Sequence, residues 1–302
     1  MPEFSGGRLR SVGFDIKLKA YAEGIDRRMA ELLPEPVLPT DSLAEAMRYS
    51  CLAPGKRLRP ALAMACAEAV GGDPWSVQDA GCAIEFVHCF SLIHDDLPAI
   101  DNDDLRRGMP TCHKAFGEAI AILAGDGLFA LAFDTLARGP WSAERRIRAI
   151  AALTKASGSE GLVGGETLDI LSEGKQIDAD TLFRIHARKT GALIAASCEI
   201  GAILAGAEDK ICDNLHRFGA HIGLAFQIAD DLLNETSTPA QLGKAAGSDR
   251  AHGKATYPAL LGLEQSRQAA FTYVKHGIEC LGGLSDRAFL TELAHFSVER
   301  LR

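Results

Sequence analysis

Residues 79–108 read DAGCAIEFVHCFSLIHDDLPAIDNDDLRRG. From Asp79 to His94 the apolar residues recur at helical spacing, and the run is apolar enough for a core helix. Carboxylates then crowd together. Asp95 and Asp96 end the helix, Pro98 interrupts the chain, and Asp101, Asp103 and Asp104 follow before Arg106 and Arg107. Acids this close repel one another unless cations neutralise them. Their hard oxygens suit magnesium, which takes one or two carboxylates and completes its shell with water and phosphate. The planar forks of the arginines suit phosphate oxygens. One reading is therefore a metal-bridged diphosphate site at the end of a core helix. The other is a solvated acidic loop paired with its own arginines.

A second acidic pair shifts the balance toward the first. FQIADDLLN, residues 226–234, lies inside another apolar helical stretch. At 3.6 residues per turn, Gln227, Asp230 and Asn234 share one face, with Asp231 beside them. Two adjacent acids in such a helix are costly unless paired or metal-bound, so the competing reading is a structural salt bridge. Downstream, Lys244 and Lys254 stand as single cations in the Gly-rich stretch QLGKAAGSDRAHGKATYP.

Helical spacing extends outward from these motifs, over Ala61–Val70, Glu118–Leu136, Thr181–Ala205 and Asn214–Leu233. Breakers fall between: Pro34, Pro36 and Pro39, the Gly71–Pro74 stretch, Gly139–Pro140 and Gly282–Gly283. No period-two strands, repeats or linkers are visible, so the reading is one all-α bundle of about ten or more helices over residues 1–302. An apolar content of 47% over 302 residues supports a sizeable core. A net charge of −8 argues against general nucleic-acid binding, which needs a basic face. The eight cysteines form no CxxC pair and read as buried thiols in a reducing compartment. No uninterrupted apolar run reaches the ~18 residues of a membrane span, and the N-terminus lacks the apolar core of a signal peptide. The expected location is the cytoplasm.

Taken together, the segments resemble the trans-prenyltransferase family of farnesyl and geranylgeranyl diphosphate synthases. The likeness is to the bacterial short-chain branch, whose longer first motif DDxxxxD stands here as Asp95 to Asp101. It runs from about Gly55 to the C-terminus through GKRLRP (55–60), IEFVHCFSLIHDDLPAIDNDDLRRG, GLVGGETLDI (161–170), KTG (189–191), FQIADDLLN and GKATYP (253–258). The order and spacing of these pieces are more specific than any one of them.

The resemblance implies roles. Asp95 and Asp101 would bind two magnesium ions from one wall of a helical cavity, and Asp230 a third from the facing wall. Arg106, Lys189, Lys244 and Lys254 would grip an allylic diphosphate. Lys56, Arg59, His88 and Arg107 would grip isopentenyl diphosphate. Thr190 and Gln227 would lie beside the reacting carbon, and the GLVGG segment would let two helices approach closely. The implied reaction ionises the allylic carbon–oxygen bond, adds the double bond of isopentenyl diphosphate to the cation, and loses a proton. Cations at the departing diphosphate stabilise its charge as it develops, and apolar walls keep water from the carbocation. Family members are commonly homodimers.

Product length in this family often depends on the residue five before the first aspartate, here Phe90, with Ser91 next to it. Five helical residues rise ~7.5 Å, a suitable depth, but the ~100° step turns Phe90 away from the face of Asp95. An aromatic here resembles the farnesyl-forming type, so the expected product is C15, with C20 as the alternative. Two positions depart from the family pattern: Asn234 replaces the last aspartate of DDxxD, and Glu166 replaces the glutamine of GGQ. Either change is compatible with slower turnover or a non-catalytic subunit, while the retained Asp230 and Asp231 favour activity. A class I terpene cyclase would share the metal clusters but has no use for Lys56, Arg59 and Arg107. The His94–Asp95 dipeptide also resembles helical metal phosphohydrolases, which leaves GKRLRP and the second acidic helix unexplained.

Overall fold

The computed structural model describes residues 11–38, 41–236 and 254–301, which excludes Lys244. Described helices are α1 (Val12–Leu32), α2 (Ser42–Cys51), α3 (Leu58–Ala69), α4 (Gln78–Asp95), α5 (Cys112–Phe116), α6 (Glu118–Arg138) and α7 (Ala143–Ser157). They continue with α8 (Leu162–Ser172), α9 (Ala179–His186), α10 (Ala192–Ala205), α11 (Asp209–Thr236), α12 (Tyr257–Leu261), α13 (Leu263–Cys280) and α14 (Ala288–Val298). Helices α3, α4, α6 and α11 fall where the apolar spacing placed them, while α1, α7 and α13 lie outside the stretches it singled out.

The centre of the bundle is α10, which packs against α3, α7 and α11. Its side chains are buried almost all round, from Leu193 to Leu204, as expected of a helix with no polar face. Burying a Leu or Ile contributes about 1.5–3 kcal/mol relative to leaving it exposed. The approach to α3 is close because position 201 lacks a side chain: a Cβ there would lie 2.1 Å from the Ala63 carbonyl oxygen. The caps are local. Ser11 accepts from the Phe14 N–H at 3.1 Å to start α1, and Asp178 from the Thr181 N–H at 2.8 Å to start α9.

Two features differ from the sequence expectation. The stretch Thr181–Ala205 is not one uniform helix. Between α9 and α10 the backbone winds through a π-helical turn, Ala187–Gly191, which holds Lys189 and Thr190. Such turns occur frequently at functional sites. The second feature is a short antiparallel hairpin, β1 (Leu105–Arg106) with β2 (Met109–Pro110). Arg107 and Gly108 at its tip both have positive φ, 54° and 78°, as a type I′ turn requires. Strands of two residues are too short to leave a period-two signature.

Among the described residues one helix, α6, is long and apolar enough to cross a membrane by length and composition. It is also the main partner of α4 and packs on α2 and α7, as a bundle helix does.

Candidate active site

The C-terminal end of α4, the loop after it, α8, the π turn and α11 surround one cavity of about 190 Å³. Asp95, Asp101, Lys189, Thr190, Gln227, Asp230, Lys254 and Arg106 all line it. The two acidic motifs, more than a hundred residues apart in sequence, thus open onto a shared space.

On the α4 side, adjacent acids point in different directions. Asp95 turns to the cavity. Asp96 is buried and binds Arg106 through both oxygens, at 2.7 and 2.9 Å from Nε. Burial raises the Asp96 carboxyl, and the Arg106 guanidinium opposes the rise. Arg106 is therefore a cation set in place by one acid and presented beside another. The Asp101 N–H donates to the Asp95 carbonyl at 2.8 Å, closing the loop that brings the two carboxylates to one wall.

Below them runs an alternating row of charges. Lys254 Nζ donates to Asp101 at 2.8 Å and lies 3.8 Å from Asp169. Lys189 Nζ donates to Asp169 at 2.7 Å and lies 2.6 Å from Glu166. Burial draws the Lys189 ammonium down, but Asp169, Glu166 and Asp95 outweigh it and hold it charged. For Asp101, burial raises the carboxyl and Lys254 more than compensates, so it sits below its usual range. Asp95 has the opposite balance. Burial, then the charge of Glu166, push it up to about 7 against the pull of Lys189.

On the α11 side the donors that fix the acids are neutral. Thr190 Oγ1 donates to Gln227 Oε1 at 2.8 Å, and Gln227 Nε2 donates to Asp231 at 3.2 Å. Asp231 is buried and also accepts from the Tyr257 N–H at 3.1 Å, tying α11 to the start of α12. His186 Nε2 lies 3.6 Å from Asp231. Burial holds that imidazole down at about 4, so it is neutral and stacks on Tyr257 rather than forming an ion pair. Asn234 is buried one turn beyond Asp230.

A separate basic group forms where the hairpin meets the start of α3. Arg107 Nη1 donates to the Pro54 carbonyl at 2.9 Å, lying over Gly55 where a Cβ would meet it at 2.7 Å. Burial lowers the Arg59 guanidinium, and Arg107 lowers it further. Its Nε is buried without a hydrogen-bond partner. His88 is held well below its usual range by burial and by Arg59 and Arg107. Two neighbouring guanidiniums beside an imidazole favour an anion. Lys56, in the same loop, is exposed, with its Nζ 5.4 Å from the Phe296 ring. The neighbouring Arg57, in contrast, is structural: it is buried and bonded to Asp26 and Glu85.

Phe90 and Ser91 do not line the cavity; from that turn of α4 it is Leu92 that does. The Phe90 ring meets His94 edge to face at 4.8 Å and lies tilted against Phe129 of α6 at 4.9 Å. Asp169, Glu166 and Asp231 are site components whose roles the sequence reading did not assign. For the first two a signal existed: in GETLDI they stand three apart, on one face of α8.

The donor set fits magnesium. Among the described residues no three His, Cys, Asp or Glu side chains converge to hold a metal unaided. Asp95, Asp101 and Asp230 nevertheless offer hard carboxylate oxygens to one cavity, the donor type that magnesium takes together with phosphate and water.

The polyprenyl synthetase family model matches residues 40–279. Geranylgeranyl pyrophosphate synthase 4 of Arabidopsis thaliana is 45% identical over 265 residues, covering 85% of this chain and 70% of its own length. The crystal structure of an FPP/GFPP synthase from Zymomonas mobilis superposes with a TM-score of 0.85 at 41% identity, over 95% of this chain and 99% of the other. That of geranylgeranyl pyrophosphate synthetase from Pyrococcus horikoshii gives 0.87 at 33%, over 95% and 98%. With matches of this extent in both sequence and fold, the chain belongs to the polyprenyl synthetase family and is a prenyltransferase.

Proposed function

We propose that this short-chain trans-prenyl diphosphate synthase condenses isopentenyl diphosphate with allylic diphosphates up to the C20 product, geranylgeranyl diphosphate. The observation that carries the reaction is that Asp95, Asp101 and Asp230 line one cavity together with Lys189, Lys254 and Arg106. In this reading Asp95, Asp101 and Asp230 hold three magnesium ions, which neutralise the allylic diphosphate and supply Lewis acidity at its leaving oxygen. Lys189, Lys254, Arg106 and Lys244 orient that diphosphate and keep its charge in place as the carbon–oxygen bond breaks. Thr190 and Gln227, locked to each other, stand beside the carbon that becomes a cation. Arg59, His88, Arg107 and Lys56 place isopentenyl diphosphate so that its double bond meets that carbon. A departing diphosphate can take the final proton, so no side-chain base is required.

The C20 product replaces the C15 expected from Phe90. Two observations favour it: the Arabidopsis and Pyrococcus relatives are named for geranylgeranyl diphosphate, and Phe90 packs against α6 outside the lining of the cavity. C15 remains the second reading, supported by the FPP/GFPP synthase from Zymomonas. Incubation with C5, C10 and C15 primers plus isopentenyl diphosphate and magnesium, followed by chromatography of the released alcohols, tests both. Accumulation of C20 alcohol from every primer is expected, and arrest at C15 would favour the second reading. Phe90→Ala should leave product length unchanged; a longer product would make Phe90 the floor after all. In this reading the protein works as a homodimer in the cytoplasm, where eight free cysteines, seven of them buried, stay reduced.

A further inference from the structure

Glu166 is more than a substitute for a neutral amide. Because Gly165 has no side chain, α8 can lie directly on the π turn; a Cβ there would sit 2.2 Å from the Lys189 nitrogen. That approach seats the Glu166 carboxylate 2.6 Å from Lys189 Nζ with its side chain only 10% exposed. Lys189 is meanwhile engaged by Asp169 on its other side. The ammonium that would grip a diphosphate is thus held by two carboxylates. Lys189 lines the cavity that Asp95 opens onto, which sets the Glu166 carboxylate one side chain behind that lining, and its charge helps to raise the Asp95 carboxyl.

These contacts have opposite consequences for the two ligands. Two carboxylates on one ammonium leave net negative charge near Asp95, which draws a divalent cation and repels an anion. Once a cation sits at Asp95, Glu166 is attracted to it and Lys189 is released toward a new acceptor. Resting on the diphosphate–metal reading above, we infer that Glu166 is a positioning residue that enforces loading order. It strengthens cation binding to the protein alone and withholds Lys189 from the diphosphate until that cation has bound.

The test uses the full chain and its Glu166→Gln variant, which keeps the shape and removes the charge. Free Mn²⁺, counted by electron paramagnetic resonance, reports cation affinity without substrate. Calorimetry with inorganic pyrophosphate in EDTA reports anion affinity without metal. Glu166→Gln should bind Mn²⁺ about tenfold more weakly and pyrophosphate several-fold more tightly, the opposite signs expected of one charge acting on two ligands. Unchanged Mn²⁺ affinity, failure of the variant to bind pyrophosphate more tightly, or a fall in both affinities would overturn the inference. Glu166→Asp keeps the charge but shortens the reach to Lys189. It should retain Mn²⁺ affinity within about threefold while still tightening pyrophosphate, and it serves if the Gln variant is poorly folded. If the unmodified chain binds no Mn²⁺ even with pyrophosphate present, the metal–diphosphate reading itself fails, which is a different result.

Discussion

Asp95–Asp96 and Asp230–Asp231 are the same dipeptide on two helices that line one cavity, and in each pair the second member is the more deeply buried. Adjacent helical residues point about 100° apart: Asp96 leaves the cavity lining altogether, whereas Asp231 still lines it beside Asp230. The buried members differ. Asp96 holds a charged arginine that itself faces the cavity, whereas Asp231 holds an amide and a backbone N–H. One wall is a lattice of alternating charges; on the other, neutral donors hold a buried carboxylate. Sites that stabilise a developing anion need both: fixed charge to favour it, and rigid geometry so that nothing must reorganise when it forms.

Changes at the less buried members should have the largest effect. Asp95→Ala and Asp230→Ala should each lower kcat/KM by roughly 10³-fold with the fold intact, in steady-state assays at saturating magnesium. Activity within tenfold of the parent for either would mean that its wall holds no cation. Asp231 should instead be visible in stability. Removing a buried acceptor of two donors by Asp231→Ala should cost about 2–3 kcal/mol in urea unfolding, while Asp230→Ala should change it by no more than about 0.5 kcal/mol. Equal losses would erase the distinction between the two members of that pair.

The charged wall should also respond to pH. Burial and Glu166 hold the Asp95 carboxyl up to about 7, above its unfolded value. The folded protein therefore binds more protons than the unfolded chain between about pH 4 and 7, and the contribution of this group to stability falls as pH rises through that window. In EDTA the melting temperature should decline from pH 5 to 8 by more in the parent than in Asp95→Asn. Magnesium should weaken the dependence. An identical slope in the two proteins would show that Asp95 is not the titrating group. The smallest expected effect is that of Asn234→Asp, which restores the usual third acid. Because position 234 is buried one turn beyond the cavity-lining Asp230, the rate should change by no more than about threefold. A strong rise would mean the second wall is short of charge as it stands.

The acidic motifs were legible because carboxylates in apolar helices contradict their surroundings, and a contradiction is visible without coordinates. The basic group of Arg59, His88 and Arg107 could be named only by resemblance, since its members come from two helices and a hairpin tip. Asp169 stayed hidden because its partner Lys189 lies twenty residues away in another element, and the pairing is a tertiary event. The structural role of Asp231 was invisible for the same reason: its donors come from its own helix and from Tyr257. The π turn was illegible because the apolar pattern is nearly continuous across it, and one added residue per turn leaves no compositional trace.

That turn has a consequence for how the chain tolerates change. It acts as a phase shift between two rigid rods, letting α10 fill the centre of the bundle while Lys189 and Thr190 keep their aim at the cavity. Deleting any one residue from Ala187–Gly191 would restore ordinary winding and rotate everything on one side relative to the other. Point substitutions here can be graded, but a single-codon deletion would separate the core from the chemistry in one step.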